Sequence, residues 1–362
     1  MTRMVVSQIS INGRFLGRPI SGVERYGREL LRAWDALLVS QPSKVSVRVL
    51  LPRGIEPDLS LSAISFETIG RLGGHAWEQS ELLFAARRDV LVGLANSGPL
   101  LHPHHLVVIH DAAVFRYPEN YGFQYRLLHR CISRGLARRA RLGTVSRFSS
   151  EELAETLGVA REDVLIVPNG SDHLGQVQPD ETTIDRLGLR GSPFLLAVGS
   201  ASRNKNLGLV MSAWRKLGAT TARLVVAGPV NDRVFSQAFD LQGLEGVLFP
   251  GRVTDAELAA LYRNAAAFVF PSRYEGFGIP PLEAIAHGCP VLASAIPPLC
   301  EVLGDGAHFF GPDDPDSLAA LMSQALANPR EMPLAARGRL DLFTWLASAA
   351  IMHGATLHMA GI

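Results

Sequence analysis

The chain has 362 residues, more than one hydrophobic core usually serves, and its length predicts two domains. Hydrophobic residues make up 47% and charged residues 19%, so the composition excludes a largely disordered chain. Lys and Arg number 35 against 34 Asp and Glu, a formal net charge of +1. No overall field recruits nucleic acid, and no nucleic-acid partner is expected.

Short aliphatic runs alternate with helical patterns through the first half of the chain, which is typical of βα units. Candidate strands lie at residues 4–11, 45–51, 90–94, 106–109, 142–145 and 164–167. Candidate helices lie at residues 22–38, 80–86, 121–139 and 149–157. This alternation predicts a doubly wound parallel sheet.

The pattern lapses over the polar stretch 170–190, which is predicted to be a linker. Candidate strands then resume at residues 194–198, 222–227, 247–249, 267–270, 291–293 and 308–310, with a helix at 255–265. The sequence thus predicts an α/β protein of two Rossmann-like domains, residues 1–178 and 179–345, whose strands end at a central cleft. Residues 346–362 are predicted to form a helix and tail that pack back on the first domain.

The most informative segment follows the strand at 267–270 and reads PSRYEGFGIPPLEAIAHG. Pro280 and Pro281 suit the first turn of a helix but forbid a helix running through them. Gly276 and Gly278 allow a ligand to approach the backbone closely. Because helix N-termini favour anions, this loop predicts a site for a phosphate or diphosphate.

The stretch EGFGIPPLEA places Glu275 and Glu283 on either side of that turn, with seven residues between them. It resembles the paired-glutamate motif of retaining glycosyltransferases of family 4, group 1 enzymes of bacterial polysaccharide biosynthesis with the GT-B fold. The resemblance implies that Glu283 binds the ribose, that the amides of Phe277, Gly278 and Ile279 hold the diphosphate, and that Glu275 lies by the donor sugar. The alternatives are a helix-capping role for Glu283 and a solvated loop charge at Glu275.

The upstream segment VGSASRNKNL is similar to a second element of this family, whose basic residues neutralise the donor diphosphate. The resemblance assigns that role to Lys205, and it transfers a second positive charge to Arg203 because Ser200 occupies a donor-binding position where arginine is common. Arg252 and Val253 stand where the family contacts the base. A solvent-exposed lysine or arginine is the alternative at each basic position.

Two positions in the first half complete the resemblance. Gly22, in GRPISGVERYG, matches the family's N-terminal glycine loop, which faces the donor phosphates. His110 directly follows the strand at 106–109, where the family carries a histidine that hydrogen-bonds the donor sugar. A lone histidine is otherwise more often structural.

No metal site and no cofactor are expected. His102, His104 and His105 have no carboxylate at ligand spacing, and basic residues already serve the diphosphate. The three cysteines lack CxxC spacing, which favours a reducing cytoplasm over a disulfide framework. The basic amphipathic stretch 121–141 suits peripheral contact with an anionic membrane, and a solvated helix face is the alternative.

The function implied by the resemblance is transfer of a sugar, with retention, from a nucleotide-sugar donor to an acceptor. GDP-mannose is the first candidate donor, and a polysaccharide or lipid-linked saccharide is the candidate acceptor. Two alternatives stay open at this stage: a nucleotide-sugar epimerase or hydrolase of the same fold, and a non-catalytic nucleotide-sugar-binding subunit. A dehydrogenase is disfavoured because no GxGxxG follows the first strand.

Overall fold

The computed structural model describes residues 8–173, 175, 177–200, 202–229 and 245–362. The chain divides into two compact units, one containing the described residues up to Gly170 together with Thr344–Ile362, and one containing Ser171–Phe343. The sequence analysis places the domain boundaries at residues 178 and 345 instead. Both the amide and the hydroxyl of Ser171 donate to the carbonyl of Phe343, at 3.0 and 3.2 Å, so the first and last residues of the second unit are joined.

The described strands of the first unit form one seven-stranded sheet in the order β3-β2-β1-β4-β5-β6-β7. Every described pairing within it is parallel. The strands are β1 Gln8–Asn12, β2 Ser46–Pro52, β3 Ser65–Ile69, β4 Val90–Gly93, β5 His105–Val108, β6 Arg141–Thr144 and β7 Leu165–Ile166. The doubly wound prediction is confirmed, while residues 4–7 of the predicted first strand lie outside the described part of the chain.

The described strands of the second unit form a six-stranded parallel sheet in the order β10-β9-β8-β11-β12-β13. They are β8 Phe194–Val198, β9 Arg223–Ala227, β10 Val247–Gly251, β11 Ala267–Phe270, β12 Val291–Ser294 and β13 His308–Phe310. Their ends lie at or within two residues of the predicted ones. The inner strands β8, β9, β11 and β12 are mostly buried and read as apolar runs, which makes them easy to recognise in sequence, whereas the edge strands β10 and β13 are largely half-buried.

Helices surround both sheets. In the first unit they are α1 Gly22–Ser40, α2 Gly74–Trp77, α3 Leu83–Ala85, α4 Ala113–Arg116, α5 Phe123–Ala137, α6 Arg147–Leu157 and the late α14 Trp345–Ala360. In the second they are α7 Thr182–Arg186, α8 Leu207–Lys216, α9 Asp255–Asn264, α10 Ile279–Ala286, α11 Pro297–Leu303, α12 Pro315–Ala327 and α13 Ala336–Leu340. None of the helices that the described residues form is long and apolar enough to cross a bilayer.

Three local predictions differ from the structure. Strand β3 was not predicted, because its sequence SFETI lies at the sheet edge and is mostly exposed, so no apolar run marks it. The predicted linker contains the short helix α7. Helix α6 begins at Arg147 rather than at residue 149, because Ser146 caps it by accepting a hydrogen bond from the amide of Ser149 at 3.0 Å.

The C-terminal helix α14 packs on α1 within the first unit. The indole of Trp34 donates to Nδ1 of His353 at 3.1 Å, and the two rings lie 5.9 Å apart. Trp345, Ala349 and Met352 on α14 are buried. The buried face of this helix therefore belongs to the core of the first unit.

Candidate functional site

The loop after β11 leads directly into α10, and its geometry requires glycine at position 278. Gly278 has a φ of 94°, and a Cβ there would lie 2.6 Å from Leu299 Cδ2. Helix α10 begins at Ile279, with Pro280 and Pro281 in its first turn. Among the described residues no acceptor is found for the amides of Gly278 and Ile279. The helix N-terminus therefore presents open backbone donors, as an anion site requires.

The loop after β8 lies beside this turn because β8 and β11 are neighbouring parallel strands. Asn206 adopts a left-handed conformation with φ 52°, and its side-chain amide donates to the carbonyls of Pro271 (3.1 Å) and Pro312 (2.8 Å). The amide of Arg273 donates to the carbonyl of Asn204 at 2.8 Å. These bonds fix the lysine-bearing loop against the glutamate-bearing loop.

Lys205 and Glu275 meet in this arrangement. Nζ of Lys205 lies 2.6 Å from Oε1 of Glu275, and it also lies 5.7 Å from the centre of the Phe270 ring. The side chains are 28% and 14% exposed, so the pair is accessible from solvent. The structure thus places an accessible ammonium beside the loop that supplies the open amides.

Glu283 is buried within α10, and its carboxylate pairs with a residue that the sequence analysis missed. Nε2 of His173 lies 3.0 Å from Oε1 of Glu283. No side chain caps α10, and Glu283 is the fifth helical residue rather than the third. The capping alternative for Glu283 is therefore wrong. No motif marked His173, because only the fold brings it to a helix that begins more than 100 residues later.

The other residues that the resemblance assigns to the second unit differ in how far they are exposed. Phe277 is buried, with its ring edge-on to Phe343 at 5.2 Å. The hydroxyl of Ser200 lies 2.9 Å from that of Ser202, and Arg203 is exposed. Arg252 is exposed and Val253 half-buried after β10, which β9 separates from β8. The structure therefore does not bring Arg252 and Val253 against Lys205.

In the first unit, His110 is held from two sides at the carboxyl end of β5. Its amide donates to Asn96 Oδ1 at 2.8 Å, and its Nε2 lies 2.9 Å from the carbonyl of Leu94. Because a carbonyl only accepts, Nε2 carries the proton and the other ring nitrogen, Nδ1, is an acceptor. The ring packs edge-on against Tyr26 at 4.7 Å. Burial lowers the pKa of His110 to about 4, so the imidazole is neutral at pH 7.

Gly22 begins α1 and is exposed. A Cβ at this position would meet no atom within 4 Å among the described residues. The hydroxyl of Ser21 donates to the carboxylate of Glu24, which anchors the start of the helix. The described part of the chain therefore does not itself require glycine at this position.

A buried carboxylate outside the predicted set organises the same edge of the first sheet. Glu78 is fully buried, and its Oε1 accepts from Asn12 Nδ2 (2.8 Å), Arg14 Nε (2.9 Å) and Ser97 Oγ (2.8 Å). Its Oε2 lies 2.8 Å from His75 Nδ1. Burial opposes ionisation, but the hydrogen bond from His75 and the charge of Arg14 hold the pKa of Glu78 below its ordinary value. We call these five residues the Glu78 cluster.

Among the described residues, no group of three or more His, Cys, Asp and Glu side chains is arranged to hold a metal ion. Nε2 of His102 donates to the carbonyl of Ala86 at 2.8 Å, and the ring of His102 lies 6.1 Å from that of His105. These neighbouring histidines are thus part of the core packing of the first unit. Whether the reaction uses a metal stays a prediction.

Buried neutral histidines predict a pH-dependent stability. Burial, reinforced by the charge of His102, lowers the pKa of His105 to about 3, while that of His110 is about 4. An unfolded histidine titrates near pH 6.5, so below that pH the unfolded state binds more protons and the free energy of unfolding falls as the pH falls. We expect each buried histidine to cost about 2 kcal/mol at pH 5 relative to pH 7.5.

Urea unfolding at both pH values measures this loss. Glu78 should contribute little to this difference between pH 7.5 and pH 5. A carboxyl group with a lowered pKa stabilises the folded state at both values and loses that contribution only below about pH 4.5. Equal free energies of unfolding at pH 7.5 and pH 5 contradict the prediction.

Comparisons with known proteins agree with the described fold and show a match to a protein family. The model of the family described as "Glycosyl transferases group 1" matches residues 180–339. The chain is 29% identical to the O-antigen chain mannosyltransferase RfbU of Salmonella typhimurium over 256 residues, which are 67% of this chain and 68% of that protein.

Two solved structures share the fold across nearly the whole chain. Sucrose-phosphate synthase from Thermosynechococcus elongatus has a TM-score of 0.70 and 19% identity, covering 96% of this chain and 98% of that one. Anabaena HepE, in complex with UDP and glucose, has a TM-score of 0.72 and 16% identity, covering 96% and 99%. Over residues 180–339 the chain matches the group 1 glycosyl transferase family, and its two doubly wound parallel sheets have the GT-B fold.

Proposed function

We propose that this glycosyltransferase moves a hexose, with retention at the anomeric carbon, from a nucleoside diphosphate donor to a polysaccharide or lipid-linked oligosaccharide. The observation that carries the proposal is the accessible Lys205–Glu275 pair beside the open N-terminus of α10. GDP-mannose is the first candidate donor, because the Salmonella relative is named an O-antigen mannosyltransferase.

The second unit contains suitable partners for the diphosphate, the ribose and the sugar of a donor. The amides of Phe277, Gly278 and Ile279 bind the diphosphate in this proposal, and Lys205 and Arg203 supply positive charge. The departing diphosphate gains negative charge as the glycosidic bond breaks, and fixed cations stabilise that state most. Glu283 receives the ribose hydroxyls, and His173 keeps its buried carboxylate oriented. Glu275 lies by the donor sugar.

His110 is suited to bind a sugar hydroxyl rather than to transfer a proton. Its Nε2 is occupied by the carbonyl of Leu94, which leaves Nδ1 as an acceptor in a ring that stays neutral at pH 7. The proposal therefore gives His110 a hydrogen bond from the donor sugar. It gives no role to a metal, and we expect transfer to continue in EDTA because the protein's own cations meet the diphosphate.

A thermal-shift screen with GDP, UDP, ADP and dTDP tests donor binding. A ligand present at a hundred times its Kd stabilises the folded state by about 2.7 kcal/mol, which raises Tm measurably. We expect one of the four to do so, with GDP the first candidate. The proposal fails if none of them changes Tm.

The Glu283→Ala variant locates the nucleotide within the second unit. Losing hydrogen bonds to a charged group costs about 1.5–3 kcal/mol, so we expect the nucleotide Kd to rise at least about tenfold. Glu331→Ala, at an exposed glutamate of the same unit, serves as the matched control and leaves Kd unchanged. Equal affinities for the two variants contradict the assignment of Glu283.

Mass analysis of products separates transfer from its alternatives. A transferase lengthens the acceptor by one hexose, whereas an epimerase or hydrolase releases free sugar without using the acceptor. Glu275→Ala and His110→Ala variants that bind donor and keep the cellular role intact identify a non-catalytic binding subunit instead.

We also propose that α5 contacts an anionic membrane from the cytoplasmic side. Phe123, Leu127 and Leu128 are 69%, 55% and 45% exposed, and Arg138 and Arg139 at the other end of the stretch are exposed as well. Arg130 does not belong to this surface, because its guanidinium donates to the carbonyls of Val114 and Phe115. Exposed apolar side chains with nearby cations suit insertion at a lipid interface.

Vesicle sedimentation tests this contact. We expect the protein to bind phosphatidylglycerol-containing vesicles, and salt to weaken that binding. Replacing both Phe123 and Leu127 with Ser removes about 3–5 kcal/mol of apolar burial and should lower the bound fraction at least tenfold. Leu334→Ser, at a fully exposed leucine of the second unit, is the control. Equal binding of the double variant and the control to vesicles contradicts the membrane proposal.

A further inference from the structure

A basic cavity lies in the second unit, apart from the proposed donor site. Its volume is about 460 Å³, which falls within the range of about 300–1,000 Å³ that is usual for small-molecule sites. The described residues that line it include Arg263, Arg330 and Arg337 but no Asp or Glu. Arg263 lies in the last turn of α9, and Arg337 lies in the short helix α13. We call this space the arginine cavity.

The arginine cavity adjoins the carboxyl end of the helix that carries Glu283. His287 and Gly288 follow α10 directly, and both line the cavity. They lie just before β12, as Arg263 lies just before β11, so the cavity belongs to the amino-terminal edge of the second sheet. The open amides of the proposed donor site belong to the first turn of α10, about 12 Å away along the eight residues of this helix. The cavity is therefore a separate place from the donor site.

Arg330 neutralises the two helix ends beside the cavity. Its guanidinium donates to the carbonyls of Arg263 and, at 3.4 Å, of Ala265, where α9 ends. It also donates to the carbonyls of His287 (3.2 Å) and Gly288 (2.8 Å), where α10 ends. Carbonyls at a helix C-terminus carry partial negative charge, which would repel an anion. Because Arg330 binds these carbonyls, the positive charges of the other two arginines are left to act on a ligand.

The guanidinium groups of Arg263 and Arg337 are available to a ligand. Arg337 is exposed, and no partner is found for its side chain among the described residues. Nε of Arg263 lies 3.9 Å from Oε1 of Glu181, and the two side chains are 63% and 49% exposed. Such exposed pairs contribute little stability, so Arg263 can turn toward an anion at small cost.

We propose that the arginine cavity binds a small phosphate monoester, whose phosphate lies between Arg263 and Arg337. A phosphate monoester carries a charge of about −1.5 to −2 at pH 7, which two guanidinium groups balance. Its three terminal oxygens accept hydrogen bonds from both groups, whereas the two oxygens of a carboxylate are satisfied by one. The cavity also has room for the organic part of the ester, and the amide of Gln178 in its wall suits hydroxyl groups.

Phosphorus NMR titrations of the whole protein test this site, with inorganic phosphate and glucose 6-phosphate as the probes. We expect both probes to bind the wild type. Arg337→Gln and Arg263→Gln should each raise both Kd values at least about tenfold, because each removes hydrogen bonds between charged groups. Arg223→Gln is the matched control and should leave Kd unchanged, because Arg223 is an exposed arginine that begins β9 at the same edge of the sheet, outside the cavity.

Three further readouts separate this site from a structural effect, from the donor site and from a carboxylate site. Arg337→Gln should keep the wild-type Tm, because its side chain is exposed. Lys205→Ala should keep the wild-type Kd for both probes. Glucuronate, which has a carboxylate in place of the phosphate, should bind at least about tenfold more weakly than glucose 6-phosphate.

Four results would overturn the proposal. Neither probe binds the wild type, or glucose 6-phosphate binds Arg337→Gln as tightly as it binds Arg223→Gln. Binding is lost in Lys205→Ala, which would place the probes in the donor site instead. Glucuronate binds as tightly as glucose 6-phosphate, which would show a general anion surface rather than a phosphate site.

Discussion

Replacing Lys205 with Ala should lower kcat for sugar transfer by about 100- to 1000-fold while leaving the fold intact. The ammonium lies beside the open N-terminus of α10, where the proposed diphosphate gains charge as it departs. Removing one preorganised donor from such a charge-stabilising site usually has an effect of this size. Because the stabilisation is greatest when the bond breaks, kcat should fall more than the donor KM rises.

The stability of this variant should change little. The Lys205–Glu275 pair is partly exposed, and such pairs contribute about 1 kcal/mol or less. Lys216→Ala is a matched control, because Lys216 also pairs with a carboxylate, Asp316 at 2.7 Å, but on an exposed surface of the same unit. Single-turnover transfer kinetics measure both variants. Equal kcat values for the two variants would show that Lys205 does not take part in the proposed sugar transfer.

Replacing Glu78 with Ala should destabilise the protein by about 3–5 kcal/mol. The carboxylate is fully buried and accepts from three side chains through Oε1, so its loss leaves Arg14 without its ion-pair partner and Asn12 and Ser97 without their acceptor. Uncompensated buried polar groups carry most of this cost. The corresponding fall in Tm is on the order of 10 °C.

Glu67→Ala provides the comparison for Glu78. Glu67 pairs with Arg48 at 2.6 Å on the exposed edge strand β3, and its side chain is 50% exposed. Its loss should cost less than about 1 kcal/mol. Urea unfolding at pH 7.5 measures the free energy of unfolding of both variants. A Glu78→Ala protein as stable as Glu67→Ala shows that the buried cluster does not stabilise the first unit.

The two predictions concern different roles of an ion pair in one chain. Lys205 and Glu275 are partly exposed, so their pair adds little stability, and the proposed function has it meet the donor. The carboxylate of Glu78 is closed to solvent, so its hydrogen bonds hold Asn12, Arg14 and His75 in place. Substitutions at the first should change chemistry, and substitutions at the second should change stability.

The sequence alone predicted the features that depend on short-range patterns of residues. The strands of the second unit were predicted almost to the residue because buried parallel strands are continuous apolar runs. The helix start at Ile279 followed from Pro280 and Pro281, since proline suits only the first turn. The resemblance to the family followed from short motifs that lie within single loops, and the family match over residues 180–339 agrees with it.

Only the tertiary structure decided which distant residues meet. Glu283 pairs with His173, and Glu78 binds Asn12, Arg14 and Ser97, although no spacing in the sequence relates these partners. The exposed strand β3 was missed for a related reason, because its pairing with β2 is set by the backbone rather than by an apolar pattern. Local periodicity reports burial and turn chemistry, whereas hydrogen bonds between loops depend on where parallel strands end in space, and that is set only when the sheet assembles.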